Sequence, residues 1–265
     1  MTQPVLSSVD ARGVALVTLN RPDKHNAFDG QTIARLHAIL SELGREPRVR
    51  VVVITGAGTT FCAGADVEWM KRMAVLDTSA NLADARALAD LLATLDGLPK
   101  PTIARVQGSA FGGGVGIIAC CDIAVAVTGA RLALSEVRLG IVPATISPYV
   151  IAAIGPRIAR RYLLTAEPLS GDEAVAAHLV HDVCPPAQLD ERVEAFIALL
   201  LKAGPEAVRE CKELIREVHA ADGNTEALRL ATAQRLARLR MSEEGREGLQ
   251  AFLEKRHPAW WREQN

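Results

Sequence analysis

The sequence of 265 residues contains few cysteines, and their spacing forms no recognisable pattern. The five cysteines are odd in number, and neither a C-x-x-C pair nor a cluster of cysteine with histidine occurs. A disulfide framework and a structural zinc site are therefore not indicated. We predict reduced thiols, a cytoplasmic location and no bound metal.

The sequence also lacks an excess of charge of one sign and lacks long apolar runs. Its net charge is −1, with 30 basic and 31 acidic side chains, whereas nucleic acid is usually bound by a strongly basic face. No run reaches the ~18 apolar residues of a membrane span, and the N-terminus lacks the basic and apolar segments of a signal peptide. We predict a soluble protein without a nucleic-acid or membrane partner.

Strand and helix patterns alternate along the first part of the chain. A hairpin over residues 5–19, a helix over 31–44 and a continuous β-branched run over 50–55 are typical of an α/β layered core. We predict that this core extends over residues 1–190.

From about residue 148 onward helical patterns dominate, beginning at 156–164, and only 179–183 has the pattern of a strand. We predict a C-terminal helical module over residues 191–265. Within the module, Leu228, Leu236 and Leu239 share one face of a predicted helix. This apolar face needs a partner, either the core or another subunit.

A loop rich in small residues follows the β-branched run and ends at Asp66. Small side chains leave backbone N–H groups unshielded, and Asp66 is a good N-cap for a helix that starts at Val67. N–H groups beside a helix start can receive an anion or a developing oxyanion. The alternative is a tight turn between strand and helix that binds nothing.

Three consecutive glycines, Gly112 to Gly114, lie between a predicted strand and a predicted short helix. Close approach of the backbone to a ligand is one reason for such a cluster. A dinucleotide-binding fold is excluded, because the glycine spacing is wrong and no acidic residue follows at the required distance. Close packing of helix on sheet remains the alternative.

Glu136 is a carboxylic acid within an otherwise apolar stretch. Burial would raise its pKa towards neutrality, as a general acid or base requires. The alternative is an ion pair with Arg138 or another cation. The C-terminal amphipathic helix, which ends in Lys255 and Arg256, either complements its own dipole or contacts a phosphate.

Taken in order, several motifs resemble the crotonase (enoyl-CoA hydratase/isomerase) superfamily, and the resemblance runs from about residue 5 to residue 260. Each motif is weak alone, but the series is specific. The matching segments are Asn20-Arg21-Pro22 with Asn26-Ala27, Ala63-Gly64-Ala65-Asp66, Gly112-Gly113-Gly114 with Cys121-Asp122, Glu136 with Gly140 to Pro143, and Glu247-Gly248 with Ala251 to Arg256.

The resemblance implies a spiral of ββα turns with a helical C-terminal module, assembled as homotrimers or dimers of trimers. It implies that the N–H groups of Ala65 and Gly113 hold the oxygen of an acyl-CoA thioester, with Glu136 as the acid/base. No cofactor is implied, because coenzyme A is part of the substrate. The family pattern places the substrate and its coenzyme A near Lys24, His25, Ala63, Gly64, Asp66, Gly112 and Gly116, with Phe252 and Lys255 added by the C-terminal helix, from a neighbouring subunit if the module crosses over.

One position departs from the family pattern. Hydratases with two carboxylates carry a glutamate where this chain has Gly116, so only Glu136 remains. A single glutamate can serve hydration, by taking a proton from water and returning it, and it equally suits a Δ3,Δ2-enoyl-CoA isomerase. A non-catalytic CoA-binding or RNA-associated member is the third alternative.

The segments around the site resemble a subgroup, the bacterial hydratases of methylglutaconyl-CoA in leucine catabolism and isohexenylglutaconyl-CoA in terpene catabolism. The resemblance is carried by Phe111 to Gly116, Cys120 to Ala124, Ser135 to Gly140 and Pro143 to Val150. Such substrates carry a second carboxylate, which calls for a cation in the acyl pocket. Arg138, Lys71 and Arg72 are the candidates.

Overall fold

A computed structural model describes residues 3–221 and 223–261 of the chain. Its main feature is a six-stranded sheet in which the first two strands pair antiparallel and the other neighbours pair parallel. In spatial order the strands are β1 (Val5–Val9), β2 (Val14–Leu19), β3 (Val51–Gly56), β4 (Thr102–Val106), β6 (Ile123–Val127) and β8 (Asp182–Cys184).

A second, two-stranded sheet is formed by β5 (Ala110–Phe111) and β7 (Leu132–Ala133), which pair parallel. Each of its strands directly follows a strand of the large sheet and precedes a helix, which is the ββα order that the family resemblance implies. The short sheet thereby brings the glycine cluster after β5 beside the chain that follows β7. This placement sets up the site described below.

Helices cover the sheet and form the C-terminal part of the chain. The first group is α1 (Gly30–Arg45), α2 (Val67–Met73), α3 (Thr78–Asp96), α4 (Gly113–Cys120), α5 (Ser147–Thr165) and α6 (Gly171–Ala176). The second group is α7 (Leu189–Lys202), α8 (Pro205–Ala220), α9 (Glu226–Met241) and α10 (Glu243–Leu253). The α/β class with a helical C-terminal region is thus confirmed, while the boundary at residue 190 stays a prediction.

The core lies between the sheet and these helices. All six residues of β3 are buried, as expected for a strand covered on both faces. Helix α7 contacts β3, β4 and β6, and α1 packs against α3. Among the described residues, no helix combines the length and apolar character needed to cross a membrane.

Two element boundaries differ from the sequence-based prediction. The late strand was expected over 179–183, but it forms over Asp182–Cys184, because Leu179 and Val180 are buried directly behind α6 instead of entering the sheet. Helix α5 starts at Ser147 rather than at Pro156. Gly155 has a φ of 73°, so the helix breaks there and resumes at Pro156. Because a proline usually marks the start of a helix, the sequence pattern predicted only the second half.

Candidate active site

A cavity of about 480 Å³ lies where the loops after β3 and β5 meet the segment after β7. Helices α2 and α3 form its remaining wall, so most of its surface is apolar. Residues from all five segments line this cavity, together with Phe28 from the segment before α1; among them are Ala65, Trp69, Asp84, Leu88, Gly113, Glu136 and Ile146.

The loop after β3 presents the backbone of Ala65 to the cavity. Phe28 pairs with this loop on both sides of Ala65, since its N–H donates to the Gly64 carbonyl at 2.7 Å and its carbonyl accepts from Asp66 N–H at 2.8 Å. Parallel bridging of this kind turns the intervening N–H away from Phe28. The Ala65 N–H has no acceptor among the residues that the structure describes.

The second backbone group comes from the glycine cluster. Gly112 has φ 48° and ψ −116°, a conformation that favours glycine, and its N–H donates to the Ala133 carbonyl at 2.9 Å. Gly113 is the first residue of α4, so its N–H has no partner within the helix. No other described residue accepts from it. Two amides without acceptors thus line one cavity, a suitable arrangement for a developing oxyanion.

Glu136 begins a single 3₁₀ turn, Glu136–Leu139, which ends at the left-handed Gly140. Its Oε2 atom is buried and has no hydrogen-bond partner within the described part of the chain. Burial raises the pKa of Glu136 above its ordinary value, and a hydrogen bond from its own backbone N–H opposes this only in part. The expected alternative, an ion pair with Arg138, is absent, because the Arg138 guanidinium donates to the Ala166 carbonyl at 3.0 Å.

Glu136 and the glycine cluster are in direct contact. A Cβ atom on Gly112 would lie 2.8 Å from Glu136 Oε1, and one on Gly113 would lie 3.1 Å from the Phe28 ring. Any larger residue at Gly112 would therefore displace the carboxyl group. The structure brings together Ala65, Gly113 and Glu136, the three residues predicted as catalytic.

Gly116, the position at which two-carboxylate hydratases carry a glutamate, packs against the side chain of Ile146. Gly116 is buried in α4, and a Cβ atom there would lie 2.4 Å from Ile146 Cγ2 and 3.6 Å from Leu92 Cδ2. Gly116 itself does not line the cavity. The apolar contact between Gly116 and Ile146 replaces a carboxylate at this point.

The residues expected near coenzyme A divide into two groups. Ala63 and Gly64 line the cavity. The Ala63 N–H donates to the His25 carbonyl at 2.9 Å, which places His25 and its neighbour Lys24 beside it. Phe252 and Lys255, at the end of α10, are exposed and do not line it. Their contact with substrate remains a prediction that requires a second subunit.

Asp66 has a structural place. Its carboxylate accepts from the backbone N–H groups of Glu68 at 2.9 Å and Trp69 at 3.1 Å, which caps α2 as predicted. The side chain is largely buried and does not line the cavity.

The three candidate cations for a second substrate carboxylate lie elsewhere. Lys71 pairs with Glu68 at 2.8 Å on the exposed face of α2, and neither Arg72 nor Arg138 lines the cavity. Among the described lining residues, the charged side chains are Glu136 and Asp84. Burial raises the pKa of Asp84, while a hydrogen bond with the Trp69 side chain lowers it in part.

Trp69, Asp84 and Leu88 were missed by the sequence reasoning. Asp84 and Leu88 are four residues apart on α3, so helical spacing already placed them on one face. The sequence contained no information on which cavity that face would line.

The chain is similar to known proteins in both sequence and structure. The family model described as enoyl-CoA hydratase/isomerase matches residues 10–264. The crystal structure of an enoyl-CoA hydratase from Shewanella pealeana has a TM-score of 0.93 and 43% sequence identity, covering 97% of this chain and 96% of that one. AtuE from Pseudomonas aeruginosa has a TM-score of 0.92 and 34% identity over 97% of this chain and 99% of its own. The 2,3-dehydroadipyl-CoA hydratase of Escherichia coli is 34% identical over 253 residues, which are 92% of this chain and 94% of that protein.

Proposed function

Because this chain belongs to the enoyl-CoA hydratase/isomerase family, we propose that it is an enzyme that adds water across the 2,3-double bond of an enoyl-CoA thioester. The observation that carries the proposal is a cavity shared by three groups that have no hydrogen-bond partner among the described residues. These are the N–H groups of Ala65 and Gly113 and the buried carboxyl oxygen of Glu136.

The proposed reaction uses these groups in two steps. Glu136 takes a proton from water while the water oxygen bonds to C3, and the electrons of the double bond move to the thioester oxygen. The Ala65 and Gly113 N–H groups stabilise that negative oxygen in a cavity of mostly apolar lining, where fixed donors are most effective. Glu136 then returns the proton to C2, and the thioester carbonyl re-forms.

The raised pKa of Glu136 suits both roles. A carboxylate with an ordinary pKa is a weak base towards water, and burial makes it a stronger one. Once protonated, the same group is an acid that can donate its proton to C2 of the enolate. The proposed reaction needs no metal or redox cofactor, since the substrate thioester supplies the electron sink.

For the acyl group, we propose the branched glutaconyl thioesters, methylglutaconyl-CoA and isohexenylglutaconyl-CoA, as the first to test. Support comes from the resemblance of the site segments and from the relative named as a 2,3-dehydroadipyl-CoA hydratase, because an adipyl group also carries a second carboxylate. The described cavity lining holds no lysine or arginine. A cation that pairs with this second carboxylate would therefore come from outside the lining, for example from a neighbouring subunit of an assembled trimer.

Isomerisation of a Δ3-enoyl-CoA to the Δ2 form is the second candidate. The observation that favours it is the Ile146 side chain at Gly116, which leaves Glu136 as the one carboxyl group among the described residues that contacts the glycine cluster. A lone carboxyl group can move a proton between the α and γ carbons without water. Product mass separates the candidates, since hydration adds one water and isomerisation adds nothing.

The test is a panel of crotonyl-, 3-pentenoyl-, methylglutaconyl- and isohexenylglutaconyl-CoA, analysed by product mass. We expect hydration, and we expect Glu136→Gln to lower kcat by at least ~100-fold, the low end for loss of a general acid–base group. The matched control is Glu68→Gln, an exposed carboxylate on α2 that pairs with Lys71, which should leave kcat within about twofold.

Three outcomes would count against parts of the proposal. A near-normal rate for Glu136→Gln would remove that residue from the mechanism. Conversion of 3-pentenoyl-CoA alone, without a gain in mass, would establish the isomerase. Binding of every thioester with no conversion would favour the third alternative, a CoA-binding member without catalysis.

A further inference from the structure

Arg21, in the turn after β2, lies between the carboxylates that cap two different helices. Its Nη2 donates to Asp66 Oδ2 at 2.9 Å, and its Nη1 lies 3.1 Å from Asp29 Oδ2. The same Nη1 also donates to the Ala27 carbonyl at 2.6 Å. The Arg21 side chain is 19% exposed, so these interactions are partly shielded from water.

Both carboxylates already hold helix starts. Asp29 Oδ1 accepts from the Thr32 N–H at 2.8 Å and caps α1, whereas Asp66 caps α2. Burial alone would raise the pKa of Asp66, but the backbone N–H groups and Arg21 outweigh it and hold that pKa below its ordinary value. Arg21 therefore pairs with two capping carboxylates at once.

The backbone of Arg21 is tied to the same loop by a second route. Its N–H donates to Asn26 Oδ1 at 2.9 Å, and Asn26 Nδ2 donates to the carbonyls of Ala57 at 2.8 Å and Thr60 at 2.7 Å. Asn26 is 1% exposed and has a φ of 56°, so it is fixed in place. The turn after β2 and the loop after β3 are thus held as one unit.

Ala65 lies directly between the anchored residues of this unit. The Gly64 carbonyl and the Asp66 N–H are both bonded to Phe28, and the Asp66 side chain is held by Arg21. The direction of the Ala65 N–H therefore depends on where Asp66 is held. A donor in an oxyanion site must point at the developing charge, and loss of one such donor costs ~10²–10³ in kcat.

We propose that Arg21 is a positioning residue for the oxyanion site, acting through Asp66 on the Ala65 amide. The inference rests on the proposed function, because it assumes a thioester oxygen at that amide. Arg21 does not line the cavity, so it contributes nothing by contact with the acyl group. Without its guanidinium, the Asp29 and Asp66 carboxylates would repel each other and the loop would shift.

The first test is Arg21→Met, with Arg21→Lys as the conservative variant. We expect Arg21→Met to lower kcat at least ~10-fold, a fraction of the loss of a whole donor, with KM changed less than about threefold, because substrate binding is spread over other contacts. Lysine keeps the charge but not the planar fork, so it should restore part of kcat.

The matched control is Arg12→Met. Arg12, in the opening hairpin turn, pairs with Asp10 and with Glu194 of α7, and its loss should leave kcat unchanged.

A double-mutant cycle tests the route through Asp66. Asp66→Asn keeps a capping side chain but removes the charge that Arg21 holds. If Arg21 acts through Asp66, the double variant Arg21→Met/Asp66→Asn should be no slower than the worse single variant. Additive losses would overturn the route, and an unchanged kcat in a folded Arg21→Met protein would overturn the proposal itself.

A second measurement does not depend on turnover. Butyryl-CoA has no double bond to hydrate, and the infrared stretch of its thioester carbonyl moves to lower frequency when N–H groups donate to the oxygen. We expect this shift in the wild-type complex and a smaller one in Arg21→Met. An equal shift in both proteins would overturn the positioning role while leaving hydration intact. A wild-type shift without conversion of any substrate would overturn hydration alone, and no shift in the wild type would overturn both.

Discussion

Glu136 and Glu210 show how partners, rather than burial, decide the charge of a carboxyl group. Burial raises the pKa of Glu136, and nothing among the described residues offsets it except its own N–H. Burial would raise the pKa of Glu210 as well, but hydrogen bonds and charge from neighbouring arginines outweigh it and lower that pKa. The carboxyl group left without a partner is the one in the cavity, which is typical of a functional site.

The packing at Gly116 leads to a prediction about a second carboxylate. A glutamate there would push its Cβ into Ile146, at 2.4 Å from Cγ2, and overpacking of this kind costs about 1–3 kcal/mol. We expect Gly116→Glu to lower Tm by at least about 3 °C. Removal of the obstructing side chain in Gly116→Glu/Ile146→Ala should restore part of that loss, as measured by thermal unfolding.

The control for this pair is Gly129→Glu. No atom lies within 4 Å of a Cβ built on Gly129, so this surface substitution should leave Tm almost unchanged. A Gly116→Glu protein as stable as the wild type would show that the Ile146 side chain can move aside at little cost. In that case, packing against Ile146 would not be the reason why position 116 lacks a glutamate.

The catalytic candidates could be predicted from the sequence, whereas the cavity wall could not. Glycine content and local apolarity already suggested an oxyanion loop and a buried acid at Glu136, and the family resemblance singled out the amides of Ala65 and Gly113. Trp69 and Asp84 lie on ordinary amphipathic helices. Their meeting depends on how α2 and α3 pack together, which local patterns do not determine.

Among the elements, α8 adds charged contacts to the packing of α7 on the sheet. Lys212 Nζ donates to Asp122 Oδ2 at 2.7 Å, and Asp122 also accepts from the Thr102 N–H at the start of β4. On its other side, Glu210 of α8 faces Arg235 and Arg238 of α9. Charged contacts therefore join α8 to the start of β4 on one side and to α9 on the other.

We expect Glu210→Ala to destabilise the protein by about 2–3 kcal/mol, because it removes a buried carboxylate that accepts hydrogen bonds from Arg209, Arg235 and Arg238. Urea unfolding measures this free energy. The control is Glu226→Ala, an exposed ion pair with Arg229 on α9, which should cost less than about 1 kcal/mol. Equal effects of the two substitutions would contradict a special role for Glu210.

The same contact has a pH dependence with a definite sign. Because the pKa of Glu210 is lowered in the folded protein, its stabilisation is present above its ordinary pKa and is lost as the pH falls through the lowered value. The stability difference between wild type and Glu210→Ala should therefore shrink on the acid side of pH 4.5, the ordinary pKa of a glutamate.

Element order could be predicted more fully than element ends. The hairpin, the buried strand β3 and the helices α7 to α10 follow from period and composition. The strand near residue 182 and the start of α5 were misplaced, since tertiary packing behind α6 and a left-handed glycine decided them. Local sequence carries little information on either.

At the scale of the whole molecule, the C-terminal helices leave apolar side chains uncovered. Helix α9 has no buried residue in the single chain, although it carries a series of leucines. Leu230, Leu236 and Met241 of α9 and Leu249, Phe252 and Leu253 of α10 are all exposed. Several exposed large apolar residues on adjacent helices are typical of an interaction surface.

We therefore predict that the chain assembles as a homotrimer or a dimer of trimers, with α9 at or near a contact between subunits. Size-exclusion chromatography with light scattering should give three or six times the mass of the 28.3 kDa chain. Leu236→Glu places a charge on the exposed apolar face, so we expect smaller species, whereas Gln234→Glu on the same helix should retain the assembly. A wild-type protein with the mass of one chain would contradict this prediction. In that case Phe252 and Lys255 would have no neighbouring cavity to reach, and the coenzyme A contacts expected of them would have to be withdrawn as well.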